Sequence, residues 1–281
     1  MHEPVADFCK PQRQEDGGEN TLAGKGLRKG SVMFHKSWVF GVVGFALLGG
    51  SFLGAAPVAD PAATEPAPTY AGHIYMDFAT GATTSSPAGV GDVYANTTTV
   101  TAGASSTDLV AVFGDRVTMT GSGFLDQIDF TIFNSGSSAG PVLTATFNLT
   151  FYDGTVPPLP APFGGFTTAP VNFGAGLNPG FYSLVTVTGL SGLGINLTTD
   201  VLLTQTVTSF TGTATRFGIV FADPPTIGSS LLPAANTCYV QATTVGGGVP
   251  GYYSFAAPNG NVAYRINVSD TPVELMGFSV E

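Results

Sequence analysis

The sequence predicts an all-β chain, an antiparallel β-sandwich of jelly-roll or immunoglobulin-like type, preceded by a disordered leader and a signal helix. Three observations carry this expectation. Apolar and polar residues alternate with a period of two in run after run, as in a strand with one buried and one solvated face. Clusters of Gly, Pro, Asn, Asp and Ser, which tolerate tight and left-handed turns, separate the runs; 38 glycines and 20 prolines supply them without a collagen-like period. Outside the N-terminal apolar segment no window keeps a helical period, and one-sided alternation marks antiparallel sheets packed face to face.

Residues 1–32 are polar and mixed in charge, with Glu3, Asp7, Arg13, Glu15, Asp16 and Glu19; they read as a disordered leader, or as sequence upstream of a true start at Met33. Residues 33–56 read as a signal peptide. Arg28, Lys29 and Lys36 precede an uncharged apolar run from Trp38 to Ala56, which closes on the small residues Gly54, Ala55 and Ala56. The run approaches the ~20 residues needed to cross a bilayer, so an uncleaved membrane anchor is the alternative. Residues 57–70, rich in Pro and Ala, read as an extended linker, and residues 71–281 as the sandwich domain.

Within that domain strands are expected at 72–79, 90–100 and 107–120. The next places Phe124, Ile128, Phe130 and Ile132 against a wet face of Gln127, Asp129 and Thr131. The clearest alternation sets Leu143, Ala145, Phe147, Leu149 and Phe151 against Thr144, Thr146, Asn148 and Thr150. A proline-rich stretch, 154–170, is expected to be the one long loop. Strands then follow at Val185–Val187, 200–210, Phe217–Phe221, 236–245, Val262–Val268 and 272–280.

Charge narrows the function. The formal net charge is −10, all four lysines lie in the first 36 residues, and only Arg116, Arg216 and Arg265 follow them. Nucleic-acid binding through a basic patch is excluded, because phosphates need clustered cations. Expected partners are extracellular polysaccharide or surface proteins, with membrane contact only through the N-terminal apolar segment if it stays uncleaved. Cys9 lies in the leader, so Cys238 is left without a partner and reads as a small buried hydrophobe.

Catalytic chemistry finds few residues. His73 is the only histidine after the signal segment, no Gly-x-Ser-x-Gly elbow is present, and the domain has no lysine. Zinc would need three or four ligands that one His and one Cys do not supply. Asp126 and Asp129 are three apart and point to opposite faces of a strand, so they are not a facing acid pair. The chain is therefore read as no enzyme and as needing no cofactor, with calcium as the one cation considered. Asp92, Asp108, Asp126 and Asp129, together with Asp115, are its candidate ligands near turns. For a glycan, whose rings stack on aromatics, Phe163, Phe166, Tyr252 and Tyr253 are the leading candidates, with Phe173 and Tyr182 beside them.

Several segments, among them Ile128-Asp-Phe-Thr-Ile-Phe-Asn134, Asn148-Leu-Thr-Phe-Tyr-Asp-Gly154 and above all Asp223-Pro-Pro-Thr-Ile-Gly-Ser-Ser230, carry a family likeness. Over about residues 90 to 268 the chain resembles exported bacterial β-sandwich proteins of the PEP-CTERM-associated type. The resemblance implies an exported surface or matrix protein and no catalytic activity. The sorting tail of that group, Pro-Glu-Pro with an apolar span and a basic cluster, is absent from Asp270 to Glu281. The expected function is adhesion or assembly at the cell surface or in extracellular matrix. A carbohydrate-binding module is the alternative, and a glycoside-active enzyme a third reading.

Overall fold

The computed structural model describes residues 64–82, 91–154, 161–230, 237–244, 248–254 and 261–270. The leader, the signal segment, residues 57–63 of the linker and the strand expected at 272–280 lie outside the described residues. What is described is all-β, with a turn of 3-10 helix at Ser191–Leu193. No helix among the described residues is long and apolar enough to cross a membrane.

Two sheets share one core. The first comprises β1 (Thr64–Pro66), β2 (Thr69–Asp77), β3 (Asp92–Ala95), β4 (Val100–Ser106), β6 (Gly123–Asn134), β10 (Phe181–Thr188), β11 (Asn196–Leu197), β13 (Phe217–Ala222), β17 (Asn261–Val262) and β18 (Arg265–Ser269). The second comprises β5 (Val112–Thr118), β7 (Val142–Asp153), β8 (Gly164–Thr167), β9 (Val171–Leu177), β12 (Asp200–Gly212), β14 (Ser229–Ser230), β15 (Thr237–Gln241) and β16 (Gly251–Ser254). Ile128, Phe130 and Ile132 of the first sheet and Phe147, Leu149 and Phe151 of the second belong to one buried cluster. Phe130 meets Phe147 edge-on with ring centroids 5.0 Å apart, and Phe210 meets Phe217 in the same way at 4.7 Å.

The structure corrects the sequence reading in several places. Pairing is not antiparallel throughout: β2 lies parallel to β10 over Thr69–Asp77, added to the edge that β10 turns away from β6. Thr64–Pro66, expected within the linker, pair with Ala102–Ala104 of β4. Extended Pro-containing chain suits an edge strand, where the missing N–H costs no ladder bond. Gly164–Thr167, expected in the long loop, pair with β7. β4 falls between two expected strands because Ala102, Gly103 and Ala104 show no alternation; a Cβ on Gly103 would come 2.6 Å from the Phe133 ring, so the site requires a residue without one. Leu143 is 42% exposed, since a register shift between Val142 and Thr144 reverses the parity. Gln127, Asp129 and Thr131, expected on a wet face, are buried; side chains of the flanking strands, Thr186 of β10 and Arg265 of β18, close over Asp129. Cys238 is free and fully buried in β15, as expected, and burial pushes its thiol well above the ordinary range.

Candidate functional site

The far face of the first sheet, turned away from the shared core, carries the site. Its geometry begins at a fork. One edge of β6 is shared: β13 pairs with Phe133 and Asn134, and β18 pairs with Phe124–Asp129. Between the two, Thr131 has no ladder partner on that edge and is satisfied by side chains instead. Gln205 Nε2 donates to its carbonyl at 2.7 Å, and its own Oγ1 accepts from Val220 N at 3.3 Å. Asn96 stitches the fork from the other side, its Nδ2 donating to Ala222 O at 3.0 Å and Asn261 O at 3.3 Å. A small apolar cluster of Phe133, Val220, Ala222 and Ala263 packs there, with Val100 and Tyr182 against it.

A groove of about 240 Å³ opens over the fork, lined by Tyr70, Thr97, Val100, Thr131, Tyr182, Leu184 and Ala263. Tyr70 and Tyr182 face each other across the β2–β10 pair, with ring centroids 5.3 Å apart and planes at 48°. Tyr70 is 51% exposed. Neither phenol hydroxyl is engaged by another described residue. Burial, reinforced for Tyr70 by Tyr75 and for Tyr182 by Tyr70, raises both phenols, so they are neutral hydrogen-bonding groups at physiological pH.

Beside the groove a polar chain crosses five strands. His73 Nε2 lies 2.6 Å from Thr186 Oγ1, which donates to Asp129 Oδ1 at 2.7 Å. A hydroxyl has one proton, and here it goes to Asp129; His73 Nε2 must therefore be the donor, which fixes the tautomer. Gln127 Nε2 also donates to Asp129 Oδ1 at 3.2 Å, Arg265 Nη1 stands 3.7 Å from Asp129 Oδ2, and Arg265 Nε donates to Asp92 Oδ1 at 2.8 Å. Burial raises the Asp129 carboxyl against these bonds. Burial, with help from Arg265 and opposed by Asp129, lowers the His73 imidazole, whose ring stacks on Tyr75 at 4.0 Å. Thr186 is fully buried and its proton is committed, so the chain fixes the sheet surface and offers no free nucleophile.

The predicted site residues are placed differently. Asp92 and Asp129 come together, but the Arg265 guanidinium stands where a cation would sit. Asp108 is elsewhere, with Thr243 N and Oγ1 donating to its Oδ2 at 2.9 and 3.0 Å; Asp126 is half-buried near the start of β6. The structure does not bring the four together, and among the described residues no three His, Cys, Asp or Glu side chains gather in a metal-binding group. Asp115 is fully buried. Its carboxyl accepts from Ser230 Oγ and Val262 N, both at 3.1 Å, and burial pushes it up to about 8.

The leading aromatic candidates do not make one platform either. Phe166 and Tyr253 are buried, Phe163 and Phe166 sit at one edge of the second sheet, and Tyr252 and Tyr253 sit at the other. Phe173 packs against the core. Of the wider set only Tyr182 reaches the groove. Tyr70 was expected to be the last residue of the linker; the structure places it in β2, where the register shift between Tyr182 and Ser183, opposite Tyr70 and Gly72, breaks the parity between it and His73 and Tyr75. No family model, no curated protein and no solved structure matches this chain.

Proposed function

We propose that the chain is an exported, non-enzymatic β-sandwich protein acting at the cell surface or in extracellular matrix by adhesion, through the far face of the first sheet. The shared core and the rings that meet across the two sheets support the sandwich. Export rests on the basic-apolar-small pattern ending at Ala56 and on the resemblance to exported proteins of the PEP-CTERM-associated type.

One observation carries the adhesive reading: the exposed Tyr70 and the half-buried Tyr182 are held together over a groove on a sheet face, where a strand's outward residues are ordinarily polar. The polar chain next to it stiffens that face, which suits a preformed binding surface. The test is retention of the purified chain on intact cells and on their extracellular matrix. Wild-type protein should be retained, and a Tyr70→Ala/Tyr182→Ala double variant should be washed off. Equal retention of both would place adhesion on another surface; no retention of either would remove adhesion as the function.

A further inference from the structure

We propose that the Tyr70–Tyr182 groove binds a neutral saccharide, one sugar ring of a polysaccharide stacking on the tyrosine faces. The inference rests on the adhesive reading and names its ligand.

The lining supports this class. Sugar rings present C–H faces and hydroxyl edges, and the groove offers the matching surfaces. Two tilted phenol rings form one wall, Val100 and Leu184 supply apolar contact over a floor of the buried Ala263 and Thr131, and Thr97 adds a hydroxyl-bearing side chain. The tyrosine hydroxyls, which no other described residue engages, can donate to and accept from ring substituents. Among the described residues no Asp, Glu, Lys or Arg lines the groove, so they offer neither an anionic nor a cationic ligand a counter-charge. The charge of the whole chain, −10, opposes acidic polymers further. At about 240 Å³ the groove falls below the range of pockets that enclose drug-sized ligands, and it suits a single ring of a chain lying on the sheet. Tyr70 stands on the outermost strand of that sheet path, so a polymer can enter and leave over the edge without threading.

The test is affinity electrophoresis of the full chain in native gels cast with soluble neutral polysaccharides (a β-glucan, a xyloglucan and a galactomannan) or acidic ones (alginate and polygalacturonate). Retention on cell matrix is run in parallel. At least one neutral polymer should retard the wild type, and Tyr182→Ala or Tyr70→Ala should weaken that retardation about tenfold. Tyr70→Phe, which keeps the stacking face, should retain most of it. Thermal melting of each variant verifies folding, and the half-exposed Tyr70 gives a variant that spares the core.

Retardation by acidic polymers alone would overturn the inference. So would neutral-polymer binding that folded Tyr70→Ala and Tyr182→Ala proteins keep unchanged. Matrix retention without any neutral-polymer retardation would overturn the saccharide while leaving adhesion standing. Loss of both would remove the two together.

Discussion

Arg265 and Asp129 stand opposite one another in the β18–β6 register, with Nη1 3.7 Å from Oδ2; the arginine side chain is 34% exposed and the carboxylate 1%. The same guanidinium holds the more exposed Asp92 at 2.8 Å. The two carboxylates therefore depend on it unequally. Arg265→Ala leaves a buried charge without its cation and should cost about 3 kcal/mol, whereas Asp92→Ala removes a half-buried partner and should cost about 1 kcal/mol or less. Urea denaturation of both variants measures the difference. Equal losses would mean that Thr186 and Gln127 alone satisfy Asp129.

Asp115 predicts an unusual pH dependence. Its carboxyl is pushed up to about 8 by burial, among Tyr94, Tyr264 and Cys238. A carboxyl raised in the folded state holds its proton there after the unfolded chain has lost it. Stability from this group is therefore full below the unfolded value near 3.8 and falls as pH rises toward 8. His73 runs the other way: its lowered imidazole makes stability fall as pH drops below about 6.5. Between pH 6.5 and 8 the Asp115 trend, which the burial-raised Asp129 can only reinforce, should remove about 1.5 kcal/mol. Asp115→Asn should flatten the slope and melt higher than wild type at pH 8; an unchanged slope would show that the carboxyl is already ionised.

Much of the fold was legible because burial on one face imprints a period of two. β7 and β13 were placed by parity alone, and the lone thiol was read correctly from its strand context. What escaped depends on contacts between residues distant in the chain. β4 is written in small residues because Phe133 lies over Gly103. Leu143 turned outward at a register shift that no local pattern announces. The Asp92–Arg265–Asp129 pairing comes from three strands, and without it the aspartates resembled cation ligands. The groove needs Tyr70 beside Tyr182, a neighbourhood created by the parallel pairing of β2 with β10.

Glu65 makes the short first strand more than a linker. Its Oε1 accepts from the hydroxyls of Ser105 and Ser135, and its Oε2 from Gly136 N at 2.9 Å. Ser105 and Ser135 are buried, so Glu65→Ala leaves two hydroxyls short of an acceptor and should cost about 1–2 kcal/mol. Removal of residues 1–63 keeps Thr64–Pro66 on the β4 edge and serves as the reference. Removal of residues 1–68 should lower the melting temperature and bare the β4 edge to self-association. Thermal melts with light scattering on the two truncations decide this, and identical behaviour would return Thr64–Pro66 to the linker.

Gly218 sets how closely two strands of the first sheet can lie. A Cβ there would fall 1.7 Å from Ala104 O, 2.6 Å from Ala104 C and 2.7 Å from Ser105 Cα, all of them backbone atoms. No rotamer relieves such a clash. Backbone retreat would break the β13–β4 ladder that runs from Phe217 opposite Ser106 to Ala222 opposite Val100. That ladder also holds Val220 and Ala222 under the groove, so the damage should reach the groove floor. Gly218→Ala should therefore cost more than about 4 kcal/mol, in the range of severe core substitutions. Gly192, with nothing within 4 Å of its added Cβ, should accept alanine within about 0.5 kcal/mol. Soluble yield and urea midpoints of the two variants test the contrast. A Gly218→Ala protein with a wild-type midpoint would mean that β13 and β4 are not held at this spacing, and the groove floor would have to be rebuilt around a looser sheet.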